Sequence, residues 1–185
     1  MVSRSTRPRA AGPASAEWMQ RLDHQLCFAL YSSSLVMTKL YKPLLEPLGL
    51  TYPQYLVLLV LWEHGDQGVG ELGERLFLDS GTLTPLLKRM ESAGWLTRAR
   101  AADDERRVVV SLTPAGRGLR QRARLVPLQL AAATGRTASE LATLTQRVQA
   151  LRGQMLGCVD THIAPREALP AAQSRRKAES GLGPR

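Results

Sequence analysis

Only two cysteines, Cys27 and Cys158, occur in 185 residues. A pair this sparse excludes a disulfide scaffold, so the fold has to rest on an apolar core, for which this length suffices. An apolar leader is also missing. The first sixteen residues are rich in Arg, Pro, Ala and Ser and read as an unstructured arm rather than a secretory signal. Long apolar runs are missing too: the longest, Tyr55–Trp62, is far too short to span a bilayer. No internal repeat is visible. The expectation is a soluble, cytoplasmic protein in a reducing compartment, with no membrane partner, no cofactor and no metal.

Acids are scarce where bases are not. The net charge is +9, from 25 basic and 16 acidic residues, and such a balance favours anionic partners. Part of the excess lies at the ends. Residues 1–16 hold Arg4, Arg7 and Arg9 and no acid, and residues 164–185 hold five bases and two acids. The middle keeps only +3, so the position of the charge matters more than its sum.

From Glu17 the pattern is helical. Trp18, Leu22, Leu26, Ala29, Leu30, Met37 and Leu40 recur at three- and four-residue spacing, which predicts one long first helix ending between Pro43 and Pro47. A second helix opens at Thr51-Tyr-Pro, and its apolar stretch marks it as central and buried. Two short helices follow. Val69–Phe77 carries Val69, Leu72 and Leu76 on one face. The next, after Leu78-Asp79-Ser80-Gly81-Thr82, turns Leu83, Leu86, Leu87 and Met90 inward and ends at Gly94. Two close helices, the second amphipathic and basic, form a helix-turn-helix pattern.

After Gly94 the period changes to two. Residues 95–100 and Val108–Leu112 read as paired strands around a charged tip, Ala101–Arg107, which is a wing. Thr113 and Pro114 then open a helix over about 114–133, followed by another over about 138–159. Their apolar faces (Leu119, Val126, Leu130; Leu141, Leu144, Val148, Leu151, Met155) call for a partner. The fold class is therefore mainly α with a small two-stranded β-wing. A domain over 17–163 contains a winged helix-turn-helix at about 53–113 and dimerisation helices at about 17–46 and 114–159. It lies between a basic arm (1–16) and a disordered basic tail (164–185).

A helix in the major groove reads base edges with short polar side chains near its start. Here these are Asp79, Ser80, Thr82 and Thr84, although Asp79 and Ser80 serve equally well as caps alone. Lys88 and Arg89 lie where phosphates would pass, or on a plain solvated face. Residues 88–124 hold ten bases and four acids. At the wing tip, Arg106, followed by Arg107, suits a narrow minor groove, and the acids Asp103–Glu105 can orient it. Two half-sites one helical turn apart need two readers, so the expected partners are a pseudo-palindromic double-stranded DNA operator and a second copy of the chain.

Several blocks carry a family resemblance. Asp104-Glu105-Arg106 followed by Val108–Leu112, Thr113, Ala115 and Gly116 is similar to the wing signature of MarR-type winged helix-turn-helix repressors. The likeness covers roughly residues 20–158. Leu26–Ser32, Tyr41–Leu45, Leu50–Tyr55 and Leu78–Pro85 resemble its organic-hydroperoxide-sensing branch. The resemblance implies a repressor that releases DNA when a cysteine is oxidised. It places the reactive thiol on Cys27 and hydrogen-bonding tyrosines on Tyr41 and Tyr52, with Tyr31 nearby. The resolving cysteine of some members falls on Ala132 here, which implies a one-cysteine mechanism. In that mechanism an organic hydroperoxide is the inducer, a small thiol reacts afterwards and Cys158 is a bystander.

Without the resemblance, a cysteine flanked by Leu26 and Phe28 reads more readily as a buried, inert residue. Cys27 and Tyr31 are neighbours at i and i+4. Cys27 and Tyr41 are fourteen residues apart, about 21 Å along a straight helix, so a bond between them has to cross between subunits. Two other readings stand beside this one. The first is a repressor released by a small aromatic ligand without cysteine chemistry. The second is a cysteine peroxidase, which the lack of a supporting His, Arg or second Cys disfavours.

Overall fold

The computed structural model describes residues 16–101, 104 and 106–162. The expected arm and tail, and Asp103 and Glu105 of the wing tip, lie outside the described residues. The chain divides into two compact units, one up to Arg136 and one from Thr137.

The first unit begins with α1 (Ala16–Met19), a 3₁₀ turn at Leu22–His24, and α2 (Leu26–Leu45). The single long first helix of the sequence pattern is thus broken before Leu26. A local contact replaces the helical turn: the His24 ring stacks on Trp18 with centroids 3.9 Å apart, and His24 Nδ1 donates to the Trp18 carbonyl at 2.9 Å. α2 ends at Leu45, between Pro43 and Pro47 as expected, with Pro43 inside its last turn.

α3 (Tyr52–His64) is the pivot of the core, as its apolar composition requires. Gln54 reaches back to accept from the Thr51 N–H at 2.8 Å, which fixes the start of the helix. Tyr55, Val57, Leu58 and Leu61 are buried against Leu72, Leu83, Leu87, Met90, Leu96 and Val110. α4 (Val69–Leu76) and α5 (Ser80–Ser92) form the helix-turn-helix. Leu83, Leu86, Leu87 and Met90 are buried, in agreement with the sequence.

The strands β2 (Leu96–Arg100) and β3 (Val108–Leu112) pair antiparallel. The sheet has a third strand that the sequence reading lacked: β1 (Gln67–Gly68) pairs antiparallel with Val109–Val110 of β3. Two residues carry no readable period, so the two-stranded wing expected is in fact three-stranded. α6 (Pro114–Ala123) is capped by Thr113, whose Oγ1 accepts from the Gly116 N–H at 3.0 Å and donates to the Gly94 carbonyl at 2.6 Å. Gly116 packs directly on the hairpin, since a Cβ there would fall 1.9 Å from the Trp95 carbonyl oxygen. The Trp62 Nε1–H donates to the Gly116 carbonyl at 3.0 Å.

The helix expected over 114–133 is two helices, α6 and α7 (Val126–Thr134). Pro127 has no N–H to donate to the Ala123 carbonyl and ends the first of them. The break changes which side chains face out. Leu119 and Val126 are buried in the chain's own core, while Leu125 and Leu128 are exposed. The second unit contains α8 (Ala138–His162), with Leu144, Val148 and Met155 exposed. Among the described residues, no single helix is long and apolar enough to cross a membrane.

Candidate nucleic-acid interface and thiol site

α5 starts at a cap that uses two of the predicted reading residues. Asp79 accepts from both the Thr82 N–H and the Thr82 hydroxyl, each at 2.8 Å. These bonds, the backbone one first, hold its carboxyl below the usual carboxylate range. Ser80, Gly81 and Thr82 are exposed beside it, and Thr84 is partly covered. One and two turns on, Lys88 and Arg89 face solvent. The polar side chains therefore line the outward face of a helix whose inward face is all apolar.

The wing lies along this helix. Thr84 of α5 and Arg106 line one cleft of about 300 Å³, together with Arg98 and Arg107. Arg106 is exposed, and its backbone N–H donates to Asp104 Oδ1 at 2.9 Å. Asp104 thus shapes the turn that carries Arg106. Two glutamates that the sequence reading did not single out hold the other arginines. Glu91, near the end of α5, accepts from the Arg98 N–H at 2.9 Å, from Nε at 3.0 Å and from Nη2 at 2.6 Å. The Arg98 side chain is the main reason its carboxyl is held low. Glu71 accepts from Arg107 Nη2 at 3.1 Å and from the Gly68 N–H at 2.7 Å. The position of Glu71, three residues after Gly68, is a capping-box spacing and was the available signal.

The thiol residues separate into two groups. Cys27 and Tyr31 are exposed on the outer face of α2, one turn apart, with Leu35 continuing the stripe. Tyr41, fourteen residues along the same unbroken helix, belongs to a half-buried aromatic cluster packed against the core. Its ring stacks on Tyr52 with centroids 4.6 Å apart and lies 5.8 Å from Tyr55. Burial first, then Tyr52 and Tyr55, push the Tyr41 hydroxyl up to about 12, and burial raises Tyr52 as well. Both hydroxyls thus remain protonated donors at neutral pH. Tyr55, buried and also raised, is a third member that sequence reasoning missed. Its spacing of three from Tyr52 on one helix face was the clue. The structure therefore brings Cys27 to Tyr31, and Tyr41 to Tyr52, but does not join the two pairs within a chain. Cys158, on α8, is exposed.

Comparison with known proteins gives consistent likenesses. The family described as transcriptional regulator SarA/Rot matches residues 39–122. The chain is 58% identical over 107 residues to the organic hydroperoxide resistance transcriptional regulator of Bacillus subtilis, covering 58% of this chain and 73% of that one. It is 46% identical over 158 residues to the HTH-type transcriptional regulator TtmR of Methylorubrum extorquens, covering 85% and 78%. Among solved structures, AbfR of Staphylococcus epidermidis superposes with a TM-score of 0.61 at 32% identity, over 75% of this chain and 97% of that one. AbfR has also been solved reduced on DNA and overoxidised on DNA. A mutant MarR of E. coli complexed with operator DNA gives 0.61 at 29% identity, over 68% and 92%.

Proposed function

The chain belongs to the MarR-type family of winged-helix transcriptional regulators, in its organic-hydroperoxide branch, and on that premise we propose that it is a homodimeric repressor that releases its operator when Cys27 is oxidised. The observation that carries the DNA-binding part is the outward polar face of α5 beside the wing, with Thr84 and Arg106 on one cleft. Ser80, Thr82 and Thr84 meet base edges in the major groove, Lys88 and Arg89 meet phosphates, and Arg106 enters the minor groove. Asp79 acts through Thr82, which it orients. Arg107 is a weaker contact, because Glu71 already holds it. The AbfR and MarR complexes with DNA support this reading by analogy of fold.

The dimer follows from the exposed apolar rows of α2 and α7, and of α8. In it, Cys27 of one chain meets Tyr41 and Tyr52 of the other, and their protonated hydroxyls donate to the thiolate and favour it. The thiolate sulfur attacks the peroxide O–O bond, giving a sulfenic acid on Cys27 and an alcohol. Sulfur loses two electrons and the peroxide gains them. A small thiol then displaces the hydroxyl as water and leaves a mixed disulfide. Oxygen on sulfur adds little bulk, and the overoxidised AbfR on DNA agrees with that. The mixed disulfide instead forces a large group into a packed interface, at about 1–3 kcal/mol, and shifts the two reading heads apart. Cys158 takes no part.

The test is a gel shift on DNA upstream of the protein's own gene, with cumene hydroperoxide plus a small thiol in one arm and salicylate in another. The wild-type chain is expected to release with the first and to hold with the second, and Cys27→Ser is expected to bind and hold in both. Release of Cys27→Ser by the peroxide, or of the wild type by salicylate alone, overturns the redox reading.

A further inference from the structure

Three arginines, Arg98, Arg106 and Arg107, line the cleft between the wing and the helix pair. Two of them are already held by carboxylates, Arg98 by Glu91 and Arg107 by Glu71. Among the described residues, Arg106 has no such carboxylate partner. The Glu71 arrangement is the less expected, because it is built rather than incidental. One carboxylate oxygen is fixed by the Gly68 N–H at 2.7 Å, and the other takes Arg107 at 3.1 Å. Gly68 leaves the room for this: a Cβ there would come within 3.3 Å of Arg107 Nε and 3.4 Å of the Glu71 carboxylate. The pairing of Gly68 with Val109 brings the two residues together across 36 positions of sequence.

As a stabilising device the pair is weak. The Arg107 and Glu71 side chains are 46% and 48% exposed, and water screens pairs this open so that they add little to stability. An acid on a surface that faces a polyanion also repels it. What the pair does well is limit charge. Arg106 and Arg107 are adjacent, and without Glu71 the wing would offer both to DNA. Each phosphate neutralised steepens the dependence of log K on log salt by about 0.9, and this term is blind to sequence.

We propose that Glu71 is a selectivity-setting residue, which withholds Arg107 from the phosphate backbone so that, of the adjacent pair at the wing tip, only Arg106 is presented. The inference rests on the DNA-binding reading above. Non-operator binding is thereby kept weak, and the preference for the operator is left to the groove contacts of α5 and Arg106.

Glu71→Gln keeps an oxygen for the Gly68 N–H and removes the charge. Two duplexes serve as probes, one selected by the wild-type chain from a random pool and one scrambled version of the same length and composition. Both are titrated from roughly 50 to 200 mM salt. Glu71→Gln is expected to bind the scrambled duplex about tenfold more tightly at the low end, with a salt slope steeper by about 0.9 for each copy of the chain on the duplex. Its preference for the selected duplex falls accordingly. The double variant Glu71→Gln, Arg107→Gln returns to the wild-type slope, which assigns the gain to that guanidinium. An unchanged slope in Glu71→Gln, or a gain that survives in the double variant, overturns the proposal while leaving the DNA reading intact. A wild-type chain that enriches no duplex from the pool overturns the DNA reading, and this inference with it.

Discussion

From α3 to β3, most apolar side chains are turned inward, Leu59 and Phe77 excepted, and helix starts are capped, whereas α2 and α7 each also turn a row of apolar side chains outward. Leu58, Leu72, Leu83 and Met90 are buried, the Trp62 indole N–H is bonded, and Glu91 and Glu71 tie the wing to the helices on either side. On the other side, Leu26, Tyr31, Leu35 and Val36 of α2, and Leu125 and Leu128 beside and within α7, are 46–62% exposed. The difference teaches where the chain is complete by itself. The reading head has its packing satisfied within one copy, while the flanking helices present an apolar row that only a second surface can cover. Chemistry follows the same division. The charged groups proposed for DNA sit on the finished part, and the thiol sits on the unfinished one.

The strongest way to break the finished part is Gly116→Ala. A methyl 1.9 Å from the Trp95 carbonyl forces α6 off the hairpin and strains the Trp62 bond. The expected loss is about 3 kcal/mol, the upper end of overpacking costs, read as a lower urea midpoint. A midpoint within experimental error of the wild type would show that the contact relaxes freely. The unfinished part is probed by Leu128→Asp, at a side chain 59% exposed in the single chain. It is expected to leave the circular dichroism spectrum intact and to convert a dimer into a monomer in sedimentation at micromolar concentration. A wild-type chain already monomeric there would remove the division altogether.

Arg106→Ala sharpens the comparison from the functional side. The residue supports no core, so the expected loss is about 1–3 kcal/mol of operator affinity with no change in thermal midpoint. A change in stability instead would move Arg106 to the structural class. The smallest effect concerns the aromatic cluster between the two parts. The Tyr41 pKa is raised from 10.0 to about 12, so folding favours its protonated form. Its contribution to stability is intact below about pH 10 and is lost as pH rises to about 12. The wild type is expected to lose stability over that window more steeply than Tyr41→Phe, as followed by urea midpoints, and equal slopes would remove Tyr41 as the cause.

Much of this was legible in the sequence because it was local. The period change after Gly94, the Thr113-Pro114 start, and the inward set Leu83, Leu86, Leu87 and Met90 each lie within a few residues of chain, where spacing reports structure directly. Other features were not. β1 is two residues long and exists only because β3 passes beside it. The break at Pro127 was present in the sequence, but the apolar period through Leu119, Val126 and Leu130 masked it. The carboxylate partners of Arg98 and Arg107 depend on tertiary approach, so a basic patch counted along the chain overstated the charge open to DNA. The separation of Cys27 from Tyr41 was readable from helix rise alone, and α2 runs without a break between them.

That unbroken helix has a consequence for inheritance. One chain carries its thiol at one end of α2 and its tyrosine about 21 Å away. On the proposed reading, in which the sensor is assembled across two copies, the gene product is not the sensing unit. Consider two alleles, one defective at Cys27 and one at Tyr41. In a mixed dimer, one sensor collects both lesions and the other collects neither. The two alleles together restore one working sensor per mixed dimer, whereas the same two lesions on a single allele, set beside a silent one, restore none. That reading therefore predicts that defects at the two ends of α2 complement each other between alleles, even though they lie in one short stretch of one gene.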